Sequence, residues 1–155
     1  MHAEDGAKEP AEHARHAGYL VALEQVADDE ETELVGCVLA DPDQVMAQAA
    51  VVRHVDRRAA ELWPEPVWQE WAAAMARVVV GRPFLVRRLE EWSLFRCVAL
   101  RLPWRRDDLL AASDWLQLKA AAGANAEVLV VLAERGRTKR IRSTARAGLT
   151  RLDTA

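Results

Sequence analysis

The chain has 155 residues, 51% hydrophobic and 29% charged, with a formal net charge of −3. That length suits one domain in which roughly 70% of the unfolded surface is buried on folding, and the balance excludes the disordered and the disulfide-stapled classes. The longest apolar runs, such as Val128 to Ala133, fall far short of the ~20 residues that span a bilayer, and no charged start, apolar middle and cleavage site opens the sequence, so the expectation is a cytoplasmic protein without a membrane partner.

Residues 1–10 are polar, contain Gly6 and Pro10, and lack an apolar period, which predicts a flexible tail before a single helical domain over residues 11–155. After Pro10, Tyr19, Leu20, Leu23, Val26 and Ala27 fall on one side of a helix that stops in the acidic run Asp28 to Glu31. A second apolar segment covers Thr32 to Ala40. Asp41 and Pro42 then supply a capping side chain and a first-turn proline. Val45, Ala49, Val52, Ala59 and Trp63 form the stripe of the next helix, with Asp43, His54, Arg57, Arg58 and Glu61 on the opposite, solvated face. Trp63-Pro64-Glu65-Pro66 interrupts the chain, and a helix from Pro66 carries Trp68, Trp71, Ala72, Met75, Val78 and Val79 as its stripe until Gly81-Arg82-Pro83.

Phe84 to Leu102 is apolar nearly all round in its second half and is expected at the centre. Pro103 and Arg105 to Asp108 make a turn into one helix running through Leu109, Leu110, Trp115 and Leu116 to Gly123, with Asp107 or Asp108 near its start. Asn125 caps a short helix, Ala126 to Arg135, closed by Gly136. Thr138 caps the last helix, whose stripe is Ile141, Ala145, Gly148, Leu149 and Leu152. No segment reads as a strand. The fold class is therefore all-α, built either of stacked antiparallel helix pairs or as an irregular helical bundle.

Two stretches share a pattern. Glu33-Leu34 leads to Val38-Leu39-Ala40-Asp41 and a helix opening Val45-Met46-Ala47-Gln48-Ala49; Glu127-Val128 leads to Val131-Leu132-Ala133-Glu134 and then Ile141-Arg142-Ser143-Thr144-Ala145. Over about fifty residues this resembles the HEAT-repeat family, in which a short acidic or proline-containing turn enters a helix beginning roughly Val-Arg-x-x-Ala. Met46 stands where that family usually has arginine, and the turn before Ile141 lacks the Asp-Pro pair. The resemblance implies a non-enzymatic scaffold that binds protein, or sometimes nucleic acid, along a helical face.

Little in the sequence points to chemistry. Ser93, Ser113 and Ser143 lack a nucleophile-elbow motif, and the seven glycines are scattered instead of clustered around a phosphate. Cys37 and Cys97 read as small buried hydrophobes. His13 and His16 lack a third metal ligand, His54 reads as solvated, and the consecutive acids Glu90-Glu91 and Asp107-Asp108 diverge around a helix. No catalytic residue, metal or cofactor is expected. Arginine outnumbers lysine and alanine is abundant, a bias expected of a GC-rich bacterial genome and not in itself a nucleic-acid signature.

Two features suggest surfaces. Trp63 and Trp104, beside prolines at helix ends, are the candidate exposed interface anchors among six tryptophans. Residues 1–33 carry ten acids against two bases, whereas residues 135–155 carry seven bases against one acid. Arg135, Arg137, Lys139, Arg140, Arg142 and Arg146 form a candidate patch for an anion or a nucleic acid. A helix-turn-helix reading of Leu116 to Arg135 fails, because Val128 to Leu132 is too apolar for a helix that reads a groove. The expected function is a helical scaffold or accessory module with another protein as partner; the alternative is a nucleic-acid-associated protein that binds phosphates through the last helix.

Overall fold

The computed structural model describes residues 5–155, with side chains from Ala11 onward. Among the described residues the chain forms nine α-helices and no strand: α1 (Asp5–Gln25), α2 (Glu31–Leu39), α3 (Gln44–Leu62), α4 (Trp68–Val78), α5 (Pro83–Leu100), α6 (Arg106–Ala111), α7 (Asp114–Ala121), α8 (Ala126–Arg135) and α9 (Lys139–Asp153). None of these helices is long and apolar enough to cross a membrane. Of the expected tail, residues 1–4 lie outside the described residues and residues 5–10 belong to α1, so Pro10 sits within a helix instead of preceding one. The chain divides into two compact units, Met1–Leu89 and Glu90–Ala155, with the division inside α5.

In the first unit α3 packs on α1 and α2, and α2 also meets α4. The tryptophan stripe of α4 is buried as its spacing predicts, at Trp68, Trp71 and Met75. Of the predicted α3 stripe only Ala59 is fully buried. Ala47, Ala50, Val51, His54, Val55 and Ala59 face inward, while Val45 is 85% exposed and Ala49 is exposed. Alanines and valines lie all round this helix, so two faces compete on hydrophobicity alone. A polar interaction decides between them.

That interaction centres on Glu31, whose side chain is only 3% exposed. Its Oε2 accepts from His54 Nε2 at 2.6 Å and from Arg58 Nε at 2.9 Å, and its Oε1 accepts from Trp71 Nε1 at 3.0 Å. Arg57 donates to His54 Nδ1 at 3.0 Å, which makes that nitrogen the acceptor and leaves the ring proton on Nε2, facing the carboxylate. The same Arg57 Nη2 donates to the Leu23 carbonyl of α1 at 3.0 Å. His54, Arg57 and Arg58 were expected on a solvated face. Instead His54 is buried and the two arginines are half-buried, because a carboxylate withdrawn from water must be given donors.

A second polar knot closes the other end of α2. Asp41 accepts from Arg15 Nε and Nη2, both at 3.1 Å, from the Tyr19 hydroxyl at 2.7 Å and from the Asp43 backbone N–H at 2.9 Å. It is therefore a tie between α1 and the α2–α3 turn and not the predicted cap. Asp43 caps α3, accepting from Met46 N at 3.1 Å. The Tyr19 hydrogen bond, with those from Asp43 and Arg15, holds the Asp41 carboxyl below its ordinary range.

In the second unit α9 packs on α8, and α7 meets both. Leu109, Leu116, Ala120, Ala121, Val128, Leu129, Leu132, Ile141 and Ala145 are buried at its core. Asn125 and Thr138 cap α8 and α9 as their side chains predict. The single helix expected after Pro103 is two. Glu91, 6% exposed, accepts from the Ser113 backbone N–H and from the Ser113 hydroxyl, each at 2.6 Å, and Ser113 in turn caps α7. Holding Ser113 in an extended conformation ends α6 at Ala111. The second half of α5 is less buried than its composition suggests: Leu100 is exposed, as is Leu102 just beyond its end, and among its residues from Leu94 onward only Val98 is fully buried. Cys37 is exposed, since Val35, Val38 and Leu39 take the inner face of α2, and Cys97 on α5 is half-buried.

Burial alone would raise the Glu31 pKa, but hydrogen bonds from His54 and Arg58 and the Arg58 charge outweigh it and lower it from 4.5 to about 2. A depressed carboxylate stabilises the fold above its unfolded pKa and loses that contribution as pH falls through the folded one. The first unit is therefore expected to lose on the order of 3 kcal/mol between about pH 4.5 and about pH 2. Denaturant midpoints read by tryptophan fluorescence across that range check it: the slope should flatten in Glu31→Gln, and an unchanged slope would remove Glu31 as its origin.

Candidate functional site

The basic segment is held by the α8–α9 turn. At Gly136 an added Cβ would lie 2.5 Å from the Leu132 carbonyl oxygen and 2.7 Å from Ile141 Cγ2, so the turn closes on a space that admits only glycine. The Thr138 hydroxyl accepts from Ile141 N at 3.1 Å and starts α9. Further along, Gly148 lets Leu129 Cδ1 approach to 3.0 Å of where its Cβ would stand, which seats α9 closely on α8.

Gln117, 1% exposed and not singled out by sequence reasoning, is the hidden support of this turn. Its amide nitrogen donates to the carbonyls of Leu109 and Leu110 at 3.0 and 3.2 Å, and its oxygen accepts from Arg137 N at 2.9 Å. A glutamine in a leucine-rich helix carries no signal of its burial; only the facing end of α6 and the α8–α9 turn reveal it.

The six basic residues of the sequence-derived patch share this region but not one role. Arg137 is engaged, with Nη1 on Asp114 at 3.0 Å and Nη2 on the Leu110 carbonyl at 3.2 Å. Arg142 and Arg146 donate to the carbonyls of Gly136 and Ala133, at 2.8 and 3.1 Å, satisfying the open end of α8. Arg135, Lys139 and Arg140 are exposed and have no carboxylate partner among the described residues.

On the helical wheel the solvent face of α9 has a centre of small residues, Ser143, Ala147 and Thr150. Lys139 and Arg146 border it on one side, with Arg142 beyond them, and Arg140 and Arg151 on the other. No acidic residue stands in the first turn of α9, so Lys139, Arg140 and Arg142 meet the positive end of their own helix dipole.

The two tryptophans proposed as anchors are both half-buried, not exposed. Trp63 follows α3 in the first unit, whereas Trp104, in the second, packs against the hydrophobic core there. The Glu31 cluster, invisible to sequence reasoning, has the residue types of an acid–base site, yet each Glu31 oxygen and both His54 nitrogens already have partners. It is built to hold helices. No group of three metal-ligating side chains occurs among the described residues. No family model matches the chain, and comparison with curated proteins and with solved structures finds no match.

Gly136→Ala is expected to destabilise the second unit by about 1–3 kcal/mol through this overpacking. Equilibrium unfolding of the variant checks it, and parental stability would mean that the turn can open without loss.

Proposed function

We propose that the protein is a non-catalytic helical scaffold that docks an acidic surface of another protein onto the outward face of α9. The observation that supports this reading is the start of α9. Lys139, Arg140 and Arg142 stand where the helix dipole disfavours cations, and no acid of the first turn offsets them. An external anion relieves that repulsion. The strip of small residues between the basic edges lets a partner helix approach closely while the long side chains reach around it. The HEAT-like reading is supported by two short-then-long helix pairs, α2–α3 and α8–α9, each packed within its own unit; in such repeats the outer faces serve for binding.

The same cations favour nucleic acid as a second reading, through phosphates and without base readout. Lys139→Glu with Arg140→Glu separates function from folding, because acids suit the start of a helix. The double variant should be at least as stable as the parent and lose association with poly-glutamate, which in the parent weakens steadily as salt is added. Binding to mixed-sequence duplex DNA in preference to poly-glutamate, with affinity falling at a log–log salt slope of about −0.9 per phosphate contacted, would replace the protein partner by nucleic acid. No binding of either polyanion by the parent at low salt would overturn both.

A further inference from the structure

Between the end of α5 and the start of α8 the second unit holds a cavity of about 660 Å³, away from the α8–α9 turn at the other end of α8. Its lining residues include two arginines, Arg101 and Arg106, with Trp104, the apolar pair Leu102-Pro103 and Glu127. That volume lies within the roughly 300–1,000 Å³ of small-molecule sites.

Local rules are broken around this cavity. Arg101 has a φ of 58°, and Leu102 N donates to the Cys97 carbonyl at 2.8 Å, the closing bond of a helix end that ordinarily uses glycine at the left-handed position. An arginine there accepts a steric penalty that glycine avoids. Arg106 opens α6 beside the cavity, with no side-chain cap from Arg105 before it and with the acids Asp107 and Asp108 after it. Neither Arg101 nor Arg106 has a carboxylate partner among the described residues; Arg101 makes only a long 3.5 Å contact to the Ala124 carbonyl. Glu127 is exposed and equally without a cationic partner there. Sequence choices that work against local stability and converge on one cavity mark a site held for a ligand.

The chemistry of the walls selects the ligand class. Two guanidiniums suit a phosphate, which they grip with paired donors. Trp104 is half-buried, packing against the core while also lining the cavity, and with Leu102-Pro103 it provides a platform for a flat ring. Glu127 repels a second anion but accepts from a sugar hydroxyl or a ring amino group. Inorganic phosphate alone would leave the aromatic and apolar walls unused. We propose that this cavity binds a nucleoside phosphate, with its phosphate between Arg101 and Arg106, its base against Trp104 and its ribose or amino group toward Glu127.

Calorimetric titration of the full chain with adenosine monophosphate, adenosine and inorganic phosphate tests this. Arg101→Gly and Arg106→Gln serve as variants, the first relieving the left-handed strain, so that it should unfold no earlier than the parent. The expected result is saturable binding of the nucleotide, stronger than that of adenosine or phosphate alone, and weakened about tenfold or more in each variant. Absence of nucleotide binding at millimolar concentration, or binding undiminished in both variants, would overturn the site. Phosphate binding as tightly as the nucleotide would overturn the base platform. None of these changes touches α9, so the outcome is independent of whether α9 docks an acidic partner.

Discussion

A carboxylate withdrawn from water is tolerated only when its lone pairs are met by donors, and the first unit is arranged around that requirement at Glu31. Its donors come from α3 and α4, and Arg57 carries the network on to the α1 backbone, so one acid at the start of α2 connects all four helices. Van der Waals packing of alanine and valine is permissive about rotation, since a turn of one residue replaces one small apolar group by another. The hydrogen bonds are not permissive. Rotating α3 by one residue, about 100°, carries His54 and Arg58 away from Glu31 and leaves a charge buried without a partner, a state several kcal/mol less stable. Ion pairs of this kind contribute modestly to net stability against an apolar replacement; their consequence is a single register.

The second unit uses the same device with different groups. Glu91 captures the backbone and hydroxyl of Ser113, and Gln117 captures two carbonyls at the end of α6 and one N–H of the α8–α9 turn. In each case a polar side chain replaces the water that a loop backbone would otherwise need on entering the core. The helix break at Ala112–Ser113 follows from it, and so does the position of Arg137, whose N–H is the group held by Gln117. A core glutamine thereby sets where the basic turn begins.

What the sequence discloses and what it hides divide along this line. The caps Asn125 and Thr138, the tryptophan stripe of α4, and the Ile141, Ala145 and Gly148 face of α9 are local patterns, each contained within a few turns of one helix, and they appear where their spacing places them. The inner face of α3, the burial of Glu31, Glu91 and Gln117, and the split between α6 and α7 depend on partners between 7 and 40 residues away, which no periodicity encodes. The HEAT-like pattern shows both sides at once. Aligned by their caps, Asp43 and Thr138, the two long helices match Met46 with Ile141 and the buried Ala50 with the buried Ala145, one residue from the alignment that Val45 and Ala49 suggest by eye. The basic patch was legible as composition, but not the division within it, because only the carbonyls of Ala133 and Gly136 separate arginines that finish a helix end from cations that face solvent.

Both units engage arginines in the same two ways, and in the second Arg137 meets Asp114 while Arg142 and Arg146 close on carbonyls. Arg15, Arg58 and Arg88 of the first each meet a carboxylate, and Arg57 and Arg82 close on backbone carbonyls. In the second, Arg101 occupies a left-handed position, Arg105 and Arg106 crowd the start of α6, and Lys139 and Arg140 crowd the start of α9. The placements at Arg101 and at the start of α9 oppose the local preference of those helix ends, where glycine or an acid would be more stable. A high frequency of arginine is common to both units. It does not account for unpaired cations standing at three helix ends of one unit. At α6 the first-turn acids Asp107 and Asp108 offset part of that charge, whereas the first turn of α9 holds no acid.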